Sequence, residues 1–216
     1  MGKDKLRRFA EVSTFSNVVQ LDAGLPYKGK WAADFFKNNN PVVLELACGK
    51  GEYTVNLARL FPKKNFIGID YKGNRIWRGA KDALEDNVTN AGFLRIQIET
   101  LLDYFAPGEI DEIWITFPDP QPQLSREKKR LTSTRFLDKY KGLLKPGGTV
   151  NLKTDNDGLH AYTAGKIGEH GLNLHVKTED LYHSGFTDEV LSIKTYYEKK
   201  YLKDNKNINY LKFSFQ

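Results

Sequence analysis

The chain has 216 residues, with 33 Lys and Arg against 27 Asp and Glu, for a formal net charge of +6. That length suits one sizeable α/β domain and is too short for two full ones, while the positive balance favours an anionic partner. A single cysteine excludes an internal disulfide framework and a cysteine-based zinc site. No apolar run approaches the roughly 18 residues of a membrane span, and the polar N-terminus lacks a signal peptide's apolar core. The expectation is a cytoplasmic protein with no membrane partner, either a monomer or a homodimer.

Residues 1–40 carry Lys3, Lys5, Arg7, Arg8, Lys28 and Lys30 without a sustained period and end in Asn38-Asn39-Asn40-Pro41. They read as a basic, partly flexible N-terminal arm: a loosely held tail, or a segment that orders against nucleic acid. Residues 41–216 read as a single domain. From Pro41 onward short apolar runs alternate with helical patterns, the signature of a doubly wound parallel sheet. Strands are expected at 42–47, 65–69, 93–98, 111–117, 148–153, 172–177 and 208–215, seven in all. Helices are expected at about 52–61, 73–86, 132–144 and 158–170.

The first of these strands, Val42 to Leu46, runs into Ala47-Cys48-Gly49-Lys50-Gly51 and then a helical pattern at Tyr53, Leu57 and Leu60. A glycine turn between a buried strand and a helix lets a ligand approach the backbone, with the helix's unpaired N–H groups aimed at it. A dinucleotide fingerprint needs a third glycine where Thr54 stands, and a P-loop needs Ser or Thr where Gly51 stands, so neither pyrophosphate motif fits. Glu45 is charged inside an apolar strand and therefore needs either a cationic ligand or backbone donors. Asp70 ends the second strand about 20 positions after the turn, where an acid binds both hydroxyls of a ribose, or else caps the next helix. A nucleoside without a pyrophosphate makes S-adenosylmethionine a more economical cofactor than NAD. Gln97 and Glu99, at the end of the third strand, are polar groups placed to read an adenine edge or simply to line a loop.

The fourth strand ends in Phe117-Pro118-Asp119-Pro120-Gln121-Pro122. Three prolines in five positions stiffen the backbone over the carboxyl ends of the strands, where ligands of open α/β sheets lie, and hold Asp119 for a substrate. The run Ser125-Arg126-Glu127-Lys128-Lys129-Arg130 follows, and together with Lys145, Lys153 and the basic arm it is placed to grip phosphates. Cys48 has no partnered histidine, and His160, His170, His175 and His183 lack metal-ligand spacing, so no metal is expected.

Five motifs in order, Phe117-Pro118-Asp119-Pro120, Lys129-Arg130-Leu131-Thr132, Phe136-Leu137, Lys153-Thr154-Asp155-Asn156 and Thr195-x-Tyr197-Glu198, resemble the bacterial tRNA (guanine-N7-)-methyltransferases. The resemblance implies a class I methyltransferase fold, Rossmann-like and mostly parallel with helices on both faces. It also implies S-adenosylmethionine as methyl donor and a guanine in the tRNA variable loop as acceptor. By it, Glu45, Asp70, Gln97 and Asp119 fall on cofactor positions, with Asp119 also catalytic, beside the cofactor-binding glycines Gly49 and Gly51 of the turn. Gln123, Asp155, Thr195, Tyr196, Tyr197 and Glu198 fall on substrate positions, and Ser125 through Arg130 on the RNA-contacting run. Two positions depart from the family: Gln97 replaces an acid, and Gln123 replaces a substrate lysine, for which Arg126 or Lys128 could substitute. Thr195 to Glu198 is also a helix capping box. The alternative reading is a methyltransferase-fold protein that binds RNA without catalysis or methylates another target.

Overall fold

The computed structural model describes residues 3–216; residues 1 and 2 of the expected arm lie outside it. In chain order the strands are β1 (Val18–Gln20), β2 (Val42–Leu46), β3 (Asn65–Ile69), β4 (Ala91–Arg95), β5 (Ile110–Thr116), β6 (Leu144–Thr154), β7 (Asn173–Thr178) and β8 (Asn209–Ser214). The helices are α1 (Lys3–Val12), α2 (Glu52–Leu60), α3 (Gly73–Glu85), α4 (Leu101–Tyr104), α5 (Thr134–Leu143), α6 (Asp157–Glu169) and α7 (Tyr196–Lys203). All eight strands form one sheet in the order β1-β4-β3-β2-β5-β6-β8-β7. Every pairing is parallel except those made by β8, which runs against both β6 and β7.

β2 is buried at every position because both faces of the sheet are covered. Leu44 and Leu46 face a core shared with Ile67, Ile69, Ile113 and Ile115 and closed by Phe136 and Tyr140 of α5. Val43, one pleat over, faces Tyr53 and Leu57 of α2 and Ile76 and Trp77 of α3. Glu45 shares that second face, which decides its partners. From β2 the chain runs outward through β3 and β4 on one side, toward β1, and then crosses back to β5 on the other side of β2 and on to β6, β8 and β7. A topological switch point therefore opens at the carboxyl end of β2.

Eight strands stand where seven are expected. The extra one is β1, which lies within the stretch read as an arm and pairs in parallel with β4, Val18 opposite Phe93 and Gln20 opposite Arg95. Three residues are too few to show a period. In the same stretch α1 lies against α3. Glu11 accepts a hydrogen bond from Trp77 Nε1 at 2.6 Å, and the Arg7 and Arg8 guanidinium groups stand 5.6 and 4.7 Å from the Trp77 ring. The third expected strand ends early, at Arg95, because the chain turns at Ile98–Thr100 into α4. β6 begins at Leu144, before the expected turn, with a register break where the left-handed Gly147 (φ 79°) lets the strand bulge. Among the described residues no helix is long and apolar enough to cross a membrane.

Candidate active site

Ala47, Gly49 and Gly51 all take left-handed φ values, of 57°, 56° and 71°. Gly51 could not be replaced even in that conformation, since an added Cβ would stand 2.4 Å from the Phe93 ring. Gly49 differs: its Cβ position is open, with nothing nearer than the Ala47 carbonyl at 4.0 Å. One glycine of the turn thus serves packing, and the other leaves an empty cradle on the ligand side. The Gly49 N–H donates to Asp70 Oδ2 at 3.1 Å, and the Lys72 N–H donates to Asp70 Oδ1 at 2.8 Å. Asp70, 8 % exposed, is therefore drawn against the turn with lone pairs to spare on both oxygens.

Glu45 finds the backbone donor, the second of the two partners its sequence position allows. Its Oε2 accepts from the Thr54 N–H at 2.8 Å and from the Thr54 hydroxyl, and its Oε1 accepts from the Thr116 hydroxyl at 2.6 Å. The carboxylate is 3 % exposed and lies beneath the turn, joining α2 to β5. Burial pushes its pKa up to about 7, against the pull of the two threonines.

Asp119 is exposed on the loop after β5, between the left-handed residues Phe117 (φ 49°) and Gln121 (φ 45°). Its Oδ1 accepts from the Gln121 N–H at 3.1 Å, and the Phe117 N–H donates to the Lys153 carbonyl at 2.8 Å. Arg130 holds the loop from below: Nε donates to the Gln121 carbonyl at 3.1 Å, a terminal nitrogen reaches the Pro122 carbonyl at 3.4 Å, and the guanidinium packs 4.3 Å from the Tyr162 ring. Buried Arg130, expected in the RNA-contacting run, thus braces the loop. Glu127, half-exposed, accepts from the Tyr162 hydroxyl at 2.9 Å. Ser125, Arg126, Lys128 and Lys129 remain exposed. Gln97 and Gln123 are exposed as well, each just ahead of a short 3₁₀ turn.

The cations expected to join that run do not. Lys145 pairs with Asp111 at 2.8 Å at the start of β5, the end of the sheet away from Asp119. Lys153 is fully buried and lies 2.8 Å from Glu198, also fully buried, while donating to the carbonyls of Leu191 and Ile193. Burial pulls the Lys153 ammonium below its usual range, with Glu198 working against that shift. Glu198 accepts further from the Tyr182 hydroxyl at 2.6 Å and closes the capping box with Thr195 at the start of α7. Glu198, expected on a substrate position, thus has its bonds inside the protein, and Thr195 is buried beside it. Only Tyr196 and Tyr197 of that motif face outward, 52 % and 44 % exposed. Asp155, at the end of β6, holds Lys206 at 3.0 Å on the wall of a cleft of about 800 Å³.

Several residues of the rim go unremarked in the sequence. The Tyr196 N–H donates to Glu52 Oε2 at 2.7 Å, and the Lys50 ammonium lies 3.8 Å from the Tyr196 ring, so the glycine turn and α7 are fastened together. From there a row of rings crosses to the proline loop: Tyr196 to Tyr197 at 5.5 Å, Tyr197 to Tyr201 at 6.5 Å, and Tyr201 to Phe117 at 5.9 Å. The i, i+4 spacing of Tyr197 and Tyr201 is the one sequence signal that could have found it. Glycine turn, Asp70, Asp119 and Asp155 all stand at the carboxyl ends of β2, β3, β5 and β6, with strands about 4.8 Å apart. Cys48 is buried, which raises its thiol well above the ordinary range and removes it as a nucleophile. Among the described residues no three His, Cys, Asp or Glu side chains gather as a metal site.

A family model described as "Putative methyltransferase" matches residues 39–211. The chain is 50 % identical over 221 residues to the tRNA (guanine-N(7)-)-methyltransferase of Christiangramia forsetii, covering 99 % of both chains. It is 40 % identical to the enzyme of the same name from Clostridium acetobutylicum, covering 86 % of each. The chain belongs to the tRNA (guanine-N7-)-methyltransferase family. Among solved structures, the 16S rRNA methyltransferase KamB superposes with a TM-score of 0.61 at 18 % identity, covering 82 % of this chain and 88 % of that one, a likeness of fold. Within the family fold, then, the cofactor and substrate positions inferred from sequence divide in two. Asp70, Asp119 and Asp155 stand at strand ends and Tyr196 and Tyr197 are exposed, while Glu45, Thr195 and Glu198 are buried and bonded within the protein.

Proposed function

We propose that this chain transfers a methyl group from S-adenosylmethionine to N7 of a guanine in the tRNA variable loop, by direct in-line displacement. The observation that carries the reading is the convergence of Asp70 and Asp119 on either side of the switch point at β2, over a glycine turn with an open cradle. The cradle at Gly49 and the spare lone pairs of Asp70 fit a nucleoside: Asp70 would take the ribose hydroxyls and Gln97 the adenine edge. When bound, S-adenosylmethionine supplies an electrophilic methyl group on a sulfonium.

Guanine N7 already carries a free lone pair, so no residue has to remove a proton first. What the chain contributes is alignment, with nucleophile and methyl carbon held about 3 Å apart. Asp119 and Asp155 are the carboxylates placed to accept N–H bonds from the base. Positive charge grows on the guanine ring during transfer, and Asp119, fixed by its prolines and by Arg130, offsets it without having to reorganise. Tyr196 and Tyr197 offer faces for stacking, and Arg126, Lys128 and Lys129 offer charge to the phosphates.

The test is incubation with an unmodified tRNA transcript and labelled S-adenosylmethionine, followed by chain cleavage at N7-methylguanine. A single cleavage in the variable loop is expected. Label on another atom, or cofactor binding with no transfer, would overturn the reading.

A further inference from the structure

We infer that Lys206 is the residue that grips the phosphate of the target nucleotide, and that it waits on Asp155 until a base takes its place. The inference rests on the base-binding role proposed for Asp155. The Lys206 ammonium lies 3.0 Å from Asp155 Oδ2 and 4.9 Å from the Tyr201 ring. The two ends of the pair differ: the Lys206 side chain is half exposed and that of Asp155 only 17 %. A lysine pair with one partner in water is weak and easily exchanged. A planar base that delivers two adjacent N–H donors to a sheltered carboxylate makes two charge-assisted bonds in place of the one that Lys206 makes. Arrival of such an edge therefore displaces the ammonium.

Where the ammonium goes is set by its surroundings. Asp155, Asp157 and Glu179 line the cleft beside Lys206 itself and His160, so its balance is acidic and favours donors over a phosphate. The Lys206 N–H is fastened to the Tyr201 carbonyl at 3.0 Å, which leaves the flexible side chain to move while the backbone stays. An ammonium released at the exposed rim, beside a nucleotide whose base has just entered, can meet that nucleotide's own phosphate, with Asp204 and Glu179 as the competing anions. Base recognition and phosphate grip are then two halves of one exchange.

The experiment measures binding of an unmodified tRNA transcript to the full chain, with saturating S-adenosylhomocysteine, across a series of KCl concentrations. Lys206→Gln is expected to weaken binding about five- to tenfold at low salt and to lower the slope of log K against log salt by about one. Lys206→Arg should restore both, and S-adenosylhomocysteine affinity should not move. An unchanged slope and affinity in Lys206→Gln would overturn the inference, as would tighter binding, which would make Lys206 only an obstacle. Asp155→Asn separates the two levels. If its turnover and KM for tRNA are those of the parent, the base-binding role of Asp155 falls and the exchange with it; if it is crippled while Lys206→Gln binds like the parent, only the role of Lys206 falls.

Discussion

Two pairs of acidic side chains near the site do opposite work. Glu45 and Glu198 are buried, and protein donors occupy both oxygens of each. Asp70 and Asp119 lie at the rim, tied only by backbone N–H groups close in sequence or at the turn, with acceptor capacity left over. A carboxylate satisfied from within shapes a site, and one left partly unsatisfied can meet a ligand. The difference is one of position on the pleat. Glu45 points from β2 toward α2, whereas Asp70 and Asp119 follow the last residues of their strands, where the pleat gives out.

The largest expected effect comes from unpairing the buried set. Glu198→Ala leaves the Lys153 ammonium without its counter-charge and should cost about 3–5 kcal/mol of stability in denaturant unfolding. Joint replacement of Lys153 by Met and Glu198 by Leu should recover much of that loss. Equal destabilisation of single and double variants would show that the pair is not the source. At the rim, Asp119→Ala should leave the fold intact and lower kcat by about 100-fold, as loss of one preorganised electrostatic group does, with S-adenosylmethionine affinity changed far less. A parent-like kcat would remove Asp119 from the chemistry.

A pH series sharpens the same contrast. Folding raises the Glu45 pKa from its ordinary 4.5 to about 7. The native state thus keeps a proton that the unfolded chain gives up, and stability falls as pH rises through that window. The loss should be on the order of 3 kcal/mol between pH 4.5 and 7, at about 1.4 kcal/mol per unit. Melting Glu45→Gln beside the parent at pH 5 and pH 8 checks this, because only the parent should lose the stability that Glu45 accounts for. The smallest effect separates cations that look alike in sequence. Arg126→Ala should lower the salt slope of tRNA binding by about one. Lys145→Ala, at the far end of the sheet, should leave it unchanged and cost no more than about 1 kcal/mol.

β2 and its glycine turn were legible because an unbroken apolar run followed by Gly49 and Gly51 has few structural meanings. α2, α3, α5 and α6 fall within two residues of their apolar periods for the same reason. β1 was not legible, since its three residues owe their conformation to β4. Arg126 and Arg130 could not be told apart either: the 3₁₀ turn that carries the run has no amphipathic period, and only the chain's path turns one outward and the other beneath the prolines. Lys153 is a different case. The sequence places it among the phosphate-gripping cations, but β6 is covered on both faces where Lys153 stands, and the charge that satisfies it lies 45 positions on, in the cap of α7.

The bond from the Tyr196 peptide nitrogen to Glu52 joins positions 144 apart. A chimera that imports the last third of a relative would have to keep an acid at 52 and a cation at 50 as well, or the graft would seat α7 askew over the glycine turn. The final helix is thus the second jaw of a clasp whose first jaw is forged before residue 60.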